Sequence, residues 1–548
     1  MKIKITFLLL LICSWQLQLH SQLKYVIEDF EGFSESPADL KTNGVFTFGF
    51  TKALSDKKMA VDQEYSGQRS LKITKENKLD FGGWGKGTGL NVQLDYSKDY
   101  LNFYVYQPGT NAASTIKIEL QDDDNGNGNY DKYEDDSWTV SQKLEQKDAW
   151  NLISIPLSKF NDSNKEGDGI FNINYKEGKL LCFIISFTTL ENRTGQTWSF
   201  DFICFSQGKL PTGKGIFDPP SASPDDFCAL GAWSKEGNAA NFTEIANAFE
   251  GNFKASTGKK LGVIHFFQPF AADGGNTQNH YPSIDRINKV VEGGYIPMVT
   301  LEDHFVNTDP NMKQPNLYSI IEGHFDSFFI SWATQIKQVK GTVLLRILHE
   351  FNGDWYPWCI ANNDKNPAVL IQAYKHIHDI FKAQQVGNVK FIWCPNSMSI
   401  PQEKWNYIMD AYPGDEYVDY VALDVYNGAG QSTLWRSFRK EAIENYFILT
   451  NNLLYKPLFI CEVASRERTS SESLGAQSKG EWIKDMSDCL GTDMSKVRLL
   501  TWFNEKSTFK VNTSAEAQKA FLESIMKNEY FKSGKNELIR KYQFIGTN

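Results

Sequence analysis

Between residues 229 and 503 the sequence repeats one pattern eight times: an apolar run, then a longer amphipathic stretch. The runs span 229–233, 261–267, 296–301, 343–348, 389–395, 418–426, 457–463 and 497–503. Helix-like stretches such as 319–337, 366–384 and 434–451 lie between them. Strands that are apolar on both faces belong to a parallel sheet covered on both sides. Eight strand–helix units in roughly 300 residues fit a (β/α)8 TIM barrel, expected over 227–535. No G-x-G-x-x-G or phosphate loop follows any run, which argues against an open nucleotide-binding sheet.

The preceding region has a different texture. Short alternating runs at 101–106, 115–120, 150–155, 180–187 and 198–205 are separated by Gly, Asn and Asp clusters. This is the pattern of an all-β, jelly-roll-like antiparallel sandwich, expected over 25–207. A linker is expected over 208–226, where Pro219, Pro220 and Pro224 fall. Lys2 and Lys4 ahead of the apolar run 5–15, closed by Ser21, mark residues 1–21 as a secretory signal peptide. Cleavage near Gln22 would release a secreted, extracellular or periplasmic protein. An outer-membrane lipoprotein anchored through Cys13 is disfavoured, because Ile12 is not the small residue that such signals place before the cysteine. No later segment is long and apolar enough to span a bilayer. A net charge of -9 argues against nucleic acid as a main ligand. Seven cysteines remain after cleavage, with no C-x-x-C spacing, so free thiols are expected. The chain is expected to be a monomer.

In such a barrel the chemistry sits at the carboxyl ends of the strands. Glu350 follows the fourth run and Glu462 ends the seventh, each beside apolar neighbours. Burial raises a carboxyl pKa, as a proton donor needs, while a hydrogen-bonded carboxylate nearby stays ionised. Glycoside hydrolysis asks for such a pair. His265, at the end of the second run, is a further candidate by position, and Asn396 and Asn504 are either hydroxyl partners or loop caps.

The segment Arg346 to Trp358 reads R-x-x-H-E-F-N-G-x-W-x-x-W. It resembles the acid/base motif of glycoside hydrolase family 26. Tyr412-Pro413-Gly414-Asp415-Glu416-Tyr417-Val418-Asp419 and Asp424-Val425-Tyr426 are similar to that family's sixth-strand stretch, and residues 457–462 to its nucleophile strand. The resemblance implies a retaining mechanism with Glu350 as acid/base and Glu462 as nucleophile, and no catalytic cofactor. It implies that Tyr426 hydrogen-bonds the nucleophile, that His349 lies at the cleavage subsite and that Arg346 orients the cluster. It also implies that Trp393 and Trp502 floor the subsites, with Trp355 and Trp358 on the loop after Glu350. The implied substrate is a polysaccharide, mixed-linkage β-1,3-1,4-glucan or β-1,4-mannan. A β-1,3-xylanase or a non-catalytic glycan-binding protein is the alternative. Asp354-Trp355-Tyr356-Pro357-Trp358 departs from the form common in mannanases.

The front region resembles a β-sandwich carbohydrate-binding module. Trp84, in Gly82-Gly83-Trp84-Gly85, is either an exposed stacking platform or a core residue. Asp29 and Asp201 are candidate ligands for a structural calcium at the sandwich rim. A second calcium signal is D-x-N-x-N-G-x5-E from Asp123 to Glu134. Its spacing nominates Asp123, Asn125, Asn127, Asp131 and Glu134 as ligands.

Overall fold

The computed structural model describes residues 22–533 and Leu538, apart from 34–36, 50, 58–68, 146, 165, 175, 190–191, 211–226, 235–248, 254–258, 270–282, 303–314, 429–434, 454 and 469–476. The expected signal peptide, and nearly all of the expected linker, lie outside the described residues.

The eight apolar runs form eight strands: β1 (Cys228–Ser234), β2 (Val263–Pro269), β3 (Ile296–Glu302), β4 (Val343–Arg346), β5 (Val389–Trp393), β6 (Tyr420–Asn427), β7 (Leu458–Ser465) and β8 (Val497–Asn504). They pair in parallel and in chain order, and β1 pairs with both β8 and β2, so the sheet closes. Inside the barrel, Val263, Met298, Leu344, Ile392, Ala422, Cys461 and Leu499 pack on one another. A larger apolar layer lies between strands and helices. Alternation of side chains along each strand feeds both layers, so the runs read as continuously apolar.

Two elements depart from expectation. β4 stops at Arg346, two residues before the end of its apolar run, because Leu348 and Glu350 adopt left-handed φ values of 49° and 52°. The stretch 319–337 forms two helices, Leu317–Ile321 and Asp326–Ile336, with Gly323 between them at φ 83°. The other two stretches are single helices. Pro367–Ala383 is capped by Asn366, and Phe438–Asn452 by the Ser437 side chain, which accepts from the Lys440 amide.

The front region builds two antiparallel six-stranded sheets. One contains Gln22–Glu28, Thr51–Lys57, Arg69–Lys75, Asp99–Tyr106, Trp150–Pro156 and Thr197–Gln207. The other contains Val45–Gly49, Gly82–Leu90, Ser114–Asp122, Ser137–Leu144, Asn161–Asp162 and Leu180–Thr189. Their inner faces share one core that includes Leu71, Trp84, Ile116, Phe183 and Phe200.

The sandwich is joined to the barrel by packed surface. Helix Phe438–Asn452 is buried along nearly its whole length. Strand Gln22–Glu28 packs against it, and Leu23, Val26, Phe202 and Cys204 belong to the same apolar cluster as Ala442, Ile443, Tyr446 and Leu449. Glu28 lies 2.9 Å from both Lys440 of that helix and Lys86 of the sandwich. The Gln477 amide donates to the Glu31 carbonyl (3.0 Å), and Asn91 Nδ2 to the Gln402 carbonyl (2.8 Å). Among the described residues no helix is long and apolar enough to cross a membrane, and the seven cysteines are free thiols.

Candidate active site

Strand parity decides which side chains reach the barrel mouth. Arg346 closes β4, fully buried, and its guanidinium binds three strands. Nε donates to Thr300 Oγ1 of β3 (2.8 Å), Nη1 to Asp424 of β6 and Nη2 to Glu462 of β7. Tyr426, two residues beyond Asp424 on β6, donates its hydroxyl to the other oxygen of Glu462. Glu462 therefore has one hydrogen-bond donor on each carboxylate oxygen, one of them cationic. His349, Asp424 and Glu462 offer ligand atoms within 4.8 Å of one another. Arg346 already binds both carboxylates, so this group is an ion-pair cluster and not a metal cradle.

Glu350 sits where the backbone leaves β4. Its left-handed conformation, and that of Leu348, each cost about 1–3 kcal/mol unless the surroundings impose them. They are imposed: the Glu350 amide donates to the Cys394 carbonyl of the neighbouring strand end (2.8 Å), and the Gly353 amide to the Glu350 carbonyl (2.9 Å). The carboxylate takes one bond from Asn396 Nδ2 (2.8 Å) and one from Trp355 Nε1 (2.8 Å). Burial first, and then the charge of Glu462, push its pKa up to about 7, against the opposing effect of Asn396, Trp355 and Arg346. One carboxyl is thus held protonated to near neutrality, beside a second that is ion-paired.

The sequence-predicted residues sort into three groups. Glu350, Glu462, Arg346, Tyr426, Asn396 and Trp355 meet directly, and Trp355 is 42% exposed at the rim. His349 adjoins them: its Nε2 lies 3.1 Å from the Tyr356 hydroxyl, and burial with the nearby Arg346 charge lowers its pKa, which keeps the ring neutral. Trp358 lies under this group. Its indole N–H donates to the His349 carbonyl (2.7 Å), and its ring stacks on Tyr356 at 4.6 Å. His265 is buried deeper, 2.8 Å from Thr300 Oγ1.

Trp393 and Trp502 need correction. Both are 1% exposed and lie in the layer between strands and helices. Trp393 packs on Phe351 and Tyr412. Trp502 packs on Phe521 and donates to the Phe509 carbonyl (3.1 Å). Their neighbours Ile392 and Cys394 point into the barrel, so the strand period of two turns Trp393 outward. Neither is a subsite floor.

Sequence reasoning missed several members of the site. Asp424 and Thr300 anchor Arg346, and a polar residue inside an apolar run was the available signal. Asn352, fully buried, holds the Asn396 backbone through both its amide groups. Half-buried Trp233, Phe267, Phe503 and Tyr426 form an aromatic row across the mouth, with ring centroids 5.4–6.0 Å apart.

In the sandwich, Trp84 is wholly buried, 5.4 Å from Phe200 and 5.6 Å from Phe183, and is not a platform. Exposed Phe46 and Phe81 flank half-buried Phe48, with centroids 6.5 and 5.5 Å from it. They lie over Gly83 and Gly85, where a Cβ would approach the Phe48 and Phe46 rings to 2.7 and 2.3 Å. Asp29 accepts from Ser437 Oγ and from the Glu31 amide, and Asp201 from the Phe202 amide. In the acidic loop, Asn125, Asn127 and Asp131 accept from backbone amides two residues on, Asp123 accepts from Gly128, and Glu134 accepts from Asn125 Nδ2. Asp123, Asp131 and Glu134 are not among the side-chain groups gathered within 4.8 Å.

A closed parallel barrel with a buried carboxyl pair at the ends of its fourth and seventh strands is the architecture of an O-glycoside hydrolase. The profile of glycosyl hydrolase family 26 matches residues 295–451, and that of carbohydrate binding domain 30 matches residues 33–190. The chain therefore carries a family 26 glycosyl hydrolase domain behind a carbohydrate-binding domain. The first match includes Glu350 and ends before Glu462. Endoglucanase H of Acetivibrio thermocellus is 31% identical over 281 residues, 50% of this chain and 28% of that protein. A mannan endo-1,4-beta-mannosidase of Bacillus subtilis is 30% identical over 98 residues, 17% of this chain and 26% of that protein. The chain thus spans about a quarter of the length of each of these curated relatives. Among solved structures, the family 26 domain of a Prevotella bryantii endo-beta-mannanase/endo-beta-glucanase aligns at TM-score 0.41 and 16% identity. That alignment covers 56% of this chain and 90% of that one.

Proposed function

We propose that this protein is a secreted, retaining endo-β-glycanase that cleaves mixed-linkage β-glucan in preference to β-mannan. The observation that carries the reading is the asymmetric carboxyl pair: Glu350 held protonated to about pH 7, Glu462 bound by Arg346 and Tyr426. In the first step a Glu462 oxygen attacks the anomeric carbon while Glu350 gives its proton to the departing glycosidic oxygen. Forming the ester removes the Glu462 charge, which is one of the two causes that raise the Glu350 pKa. Glu350 then ionises more readily. It accepts a proton from water as the water oxygen attacks the same carbon, and Glu462 is released. His349, neutral and beside Tyr356, faces the sugar as a hydrogen-bonding group, and the aromatic row presents flat faces for sugar rings.

The preference for glucan is supported by the extent of the match to endoglucanase H, 281 residues against 98 for the mannosidase. The carbohydrate-binding domain retains the enzyme on insoluble polymer through Phe46, Phe48 and Phe81. Product analysis on mixed-linkage β-glucan, β-mannan and β-1,3-xylan, beside Glu350→Ala and Glu462→Ala, tests the reading. The expected result is oligosaccharide release from the glucan, lost in both variants. Binding without release from any of the three polymers would instead make the protein a non-catalytic glycan-binding one.

A further inference from the structure

At one end of the sandwich, the strands Ser114–Asp122 and Ser137–Leu144 flank the acidic loop whose own side chains are spent on its turns. Where that loop meets the strands, carboxylate oxygens of Asp122, of Asp124 (the loop's second residue) and of Asp136 come within 4.8 Å of one another. Asp122 and Asp136 are fully buried and Asp124 is partly buried. Among the described residues none of the three forms an ion pair. One oxygen of Asp136 accepts from the Gly169 amide (2.8 Å), and the other, Oδ1, is buried without any partner. Asp124 Oδ1 is in the same condition. Asn172 lies beside Asp124, and its buried Oδ1 is without a partner among the described residues. A Cβ at Gly167 would fall 1.8 Å from Asp136 Oδ1, so only glycine lets this segment close over the cluster.

Asp122 accepts from the Asp136 amide and from Trp138, but three gathered carboxylates, two of them with a buried oxygen left unused, and no cationic side chain are costly by themselves. A hard cation removes that cost. Two oxygens on one ion can be no further apart than twice the metal–oxygen distance, about 4.8 Å for calcium and about 4.2 Å for magnesium. Carboxylate oxygens within 4.8 Å of one another are inside the reach of calcium, the larger ion with the more permissive geometry.

We propose that Asp122, Asp124 and Asp136 form a structural calcium site, with Asn172 Oδ1 as a neutral fourth ligand. The ion ties the two strand ends to segment 167–172. It lies outside the ligand set nominated by the loop spacing, whose Asp123 and Asp131 shape the turn instead.

Trp138 supplies a reporter, because its indole N–H donates to Asp122 Oδ2 at 3.0 Å. The full chain is stripped with a chelator, dialysed and titrated with terbium under tryptophan excitation, and then with calcium chloride by calorimetry. The expected result is one sensitised terbium site displaced by calcium, a calorimetric stoichiometry near one and a rise in melting temperature with calcium. Asp136→Asn and Asp124→Asn should each weaken binding at least tenfold, while Asp123→Asn and Asp131→Asn stay within about threefold. Trp138→Phe should lose the sensitised emission and keep the calorimetric binding. Absence of binding to the folded chain would overturn the site. So would loss in Asp123→Asn or Asp131→Asn with binding intact in Asp124→Asn. If Asp136→Asn fails to fold by circular dichroism, the partly exposed Asp124 position decides alone.

Discussion

Asn396 and Trp355 each donate a hydrogen bond to Glu350, and each holds its pKa below where burial and the Glu462 charge alone would put it. A hydrogen bond to a charged group is worth about 1.5–3 kcal/mol, and one pKa unit about 1.36. Asn396→Ala should therefore move the alkaline limb of kcat/KM upward by about one pH unit from its position near 7. The measurement is a pH–rate profile on soluble substrate, and a limb that stays in place or moves down would contradict the assignment of Glu350 as the acid. The same pKa has a consequence for stability. A carboxyl raised from 4.5 to about 7 on folding contributes stability that is fully present below 4.5 and is lost as pH rises through 7. The loss amounts to about 3 kcal/mol. Glu350→Gln, inactive, should thus melt higher than the native chain at pH 8 and show little difference at pH 4. The pair Glu350 and Glu462 was legible in the sequence because a carboxylate at the end of an apolar run is unusual. The roles of its supports were less so: Asn352 and Trp358 stand in the recognised motif, but they act through backbone carbonyls, which the motif does not reveal.

At the scale of elements, Trp393 and Trp502 show why the barrel was readable while its inner face was not. A strand buried on both faces gives the same apolar run whichever parity points inward. The eight runs therefore located the strands to within about two residues and left their orientation open. Arg346 and Asp424 carry the missing phase. Both are charged and fully buried, so both must face the polar mouth, and counting by twos from them separates inward from outward positions. The sandwich holds the same lesson in reverse. Glycine around Trp84 suggested exposure, but Gly83 and Gly85 alternate with it and make room for Phe48 and Phe46 on the outer face. The consequence is testable on Trp502, buried against Phe521. Trp502→Leu should cost about 3 kcal/mol through the cavity it leaves. Urea unfolding should show that loss while KM stays within twofold. A large rise in KM at unchanged stability would return Trp502 to the substrate cleft.

At the scale of the whole molecule, the change of texture near residue 210 suggested two units on a linker, and the structure adds a shared core. Helix Phe438–Asn452 carries apolar side chains on every face, which a surface helix of a free-standing barrel does not. The sandwich strand Gln22–Glu28 supplies the missing cover. Glu28 fixes the seam. Burial opposes its charge, yet Lys440 and Lys86 prevail and lower its pKa from 4.5 to about 2. Its contribution, about 3 kcal/mol, is present above pH 4.5 and disappears as pH falls through 2. Glu28→Gln leaves two largely buried lysines unpaired and should lower the melting temperature at pH 7 by several degrees, with a much smaller effect at pH 2. A barrel produced from residue 227 onward uncovers the side of this helix that carries Lys440, Phe447 and Thr450, which meet Glu28, Lys24 and Gln22 of the sandwich. It should melt below the full chain and aggregate on heating, and calorimetry of the full chain should show one transition. Two separate transitions, with the truncated barrel as stable as its counterpart in the full chain, would make the sandwich a tethered accessory. One coupled transition would make it part of the scaffold that holds the strand ends, and with them Glu350 and Glu462, in place.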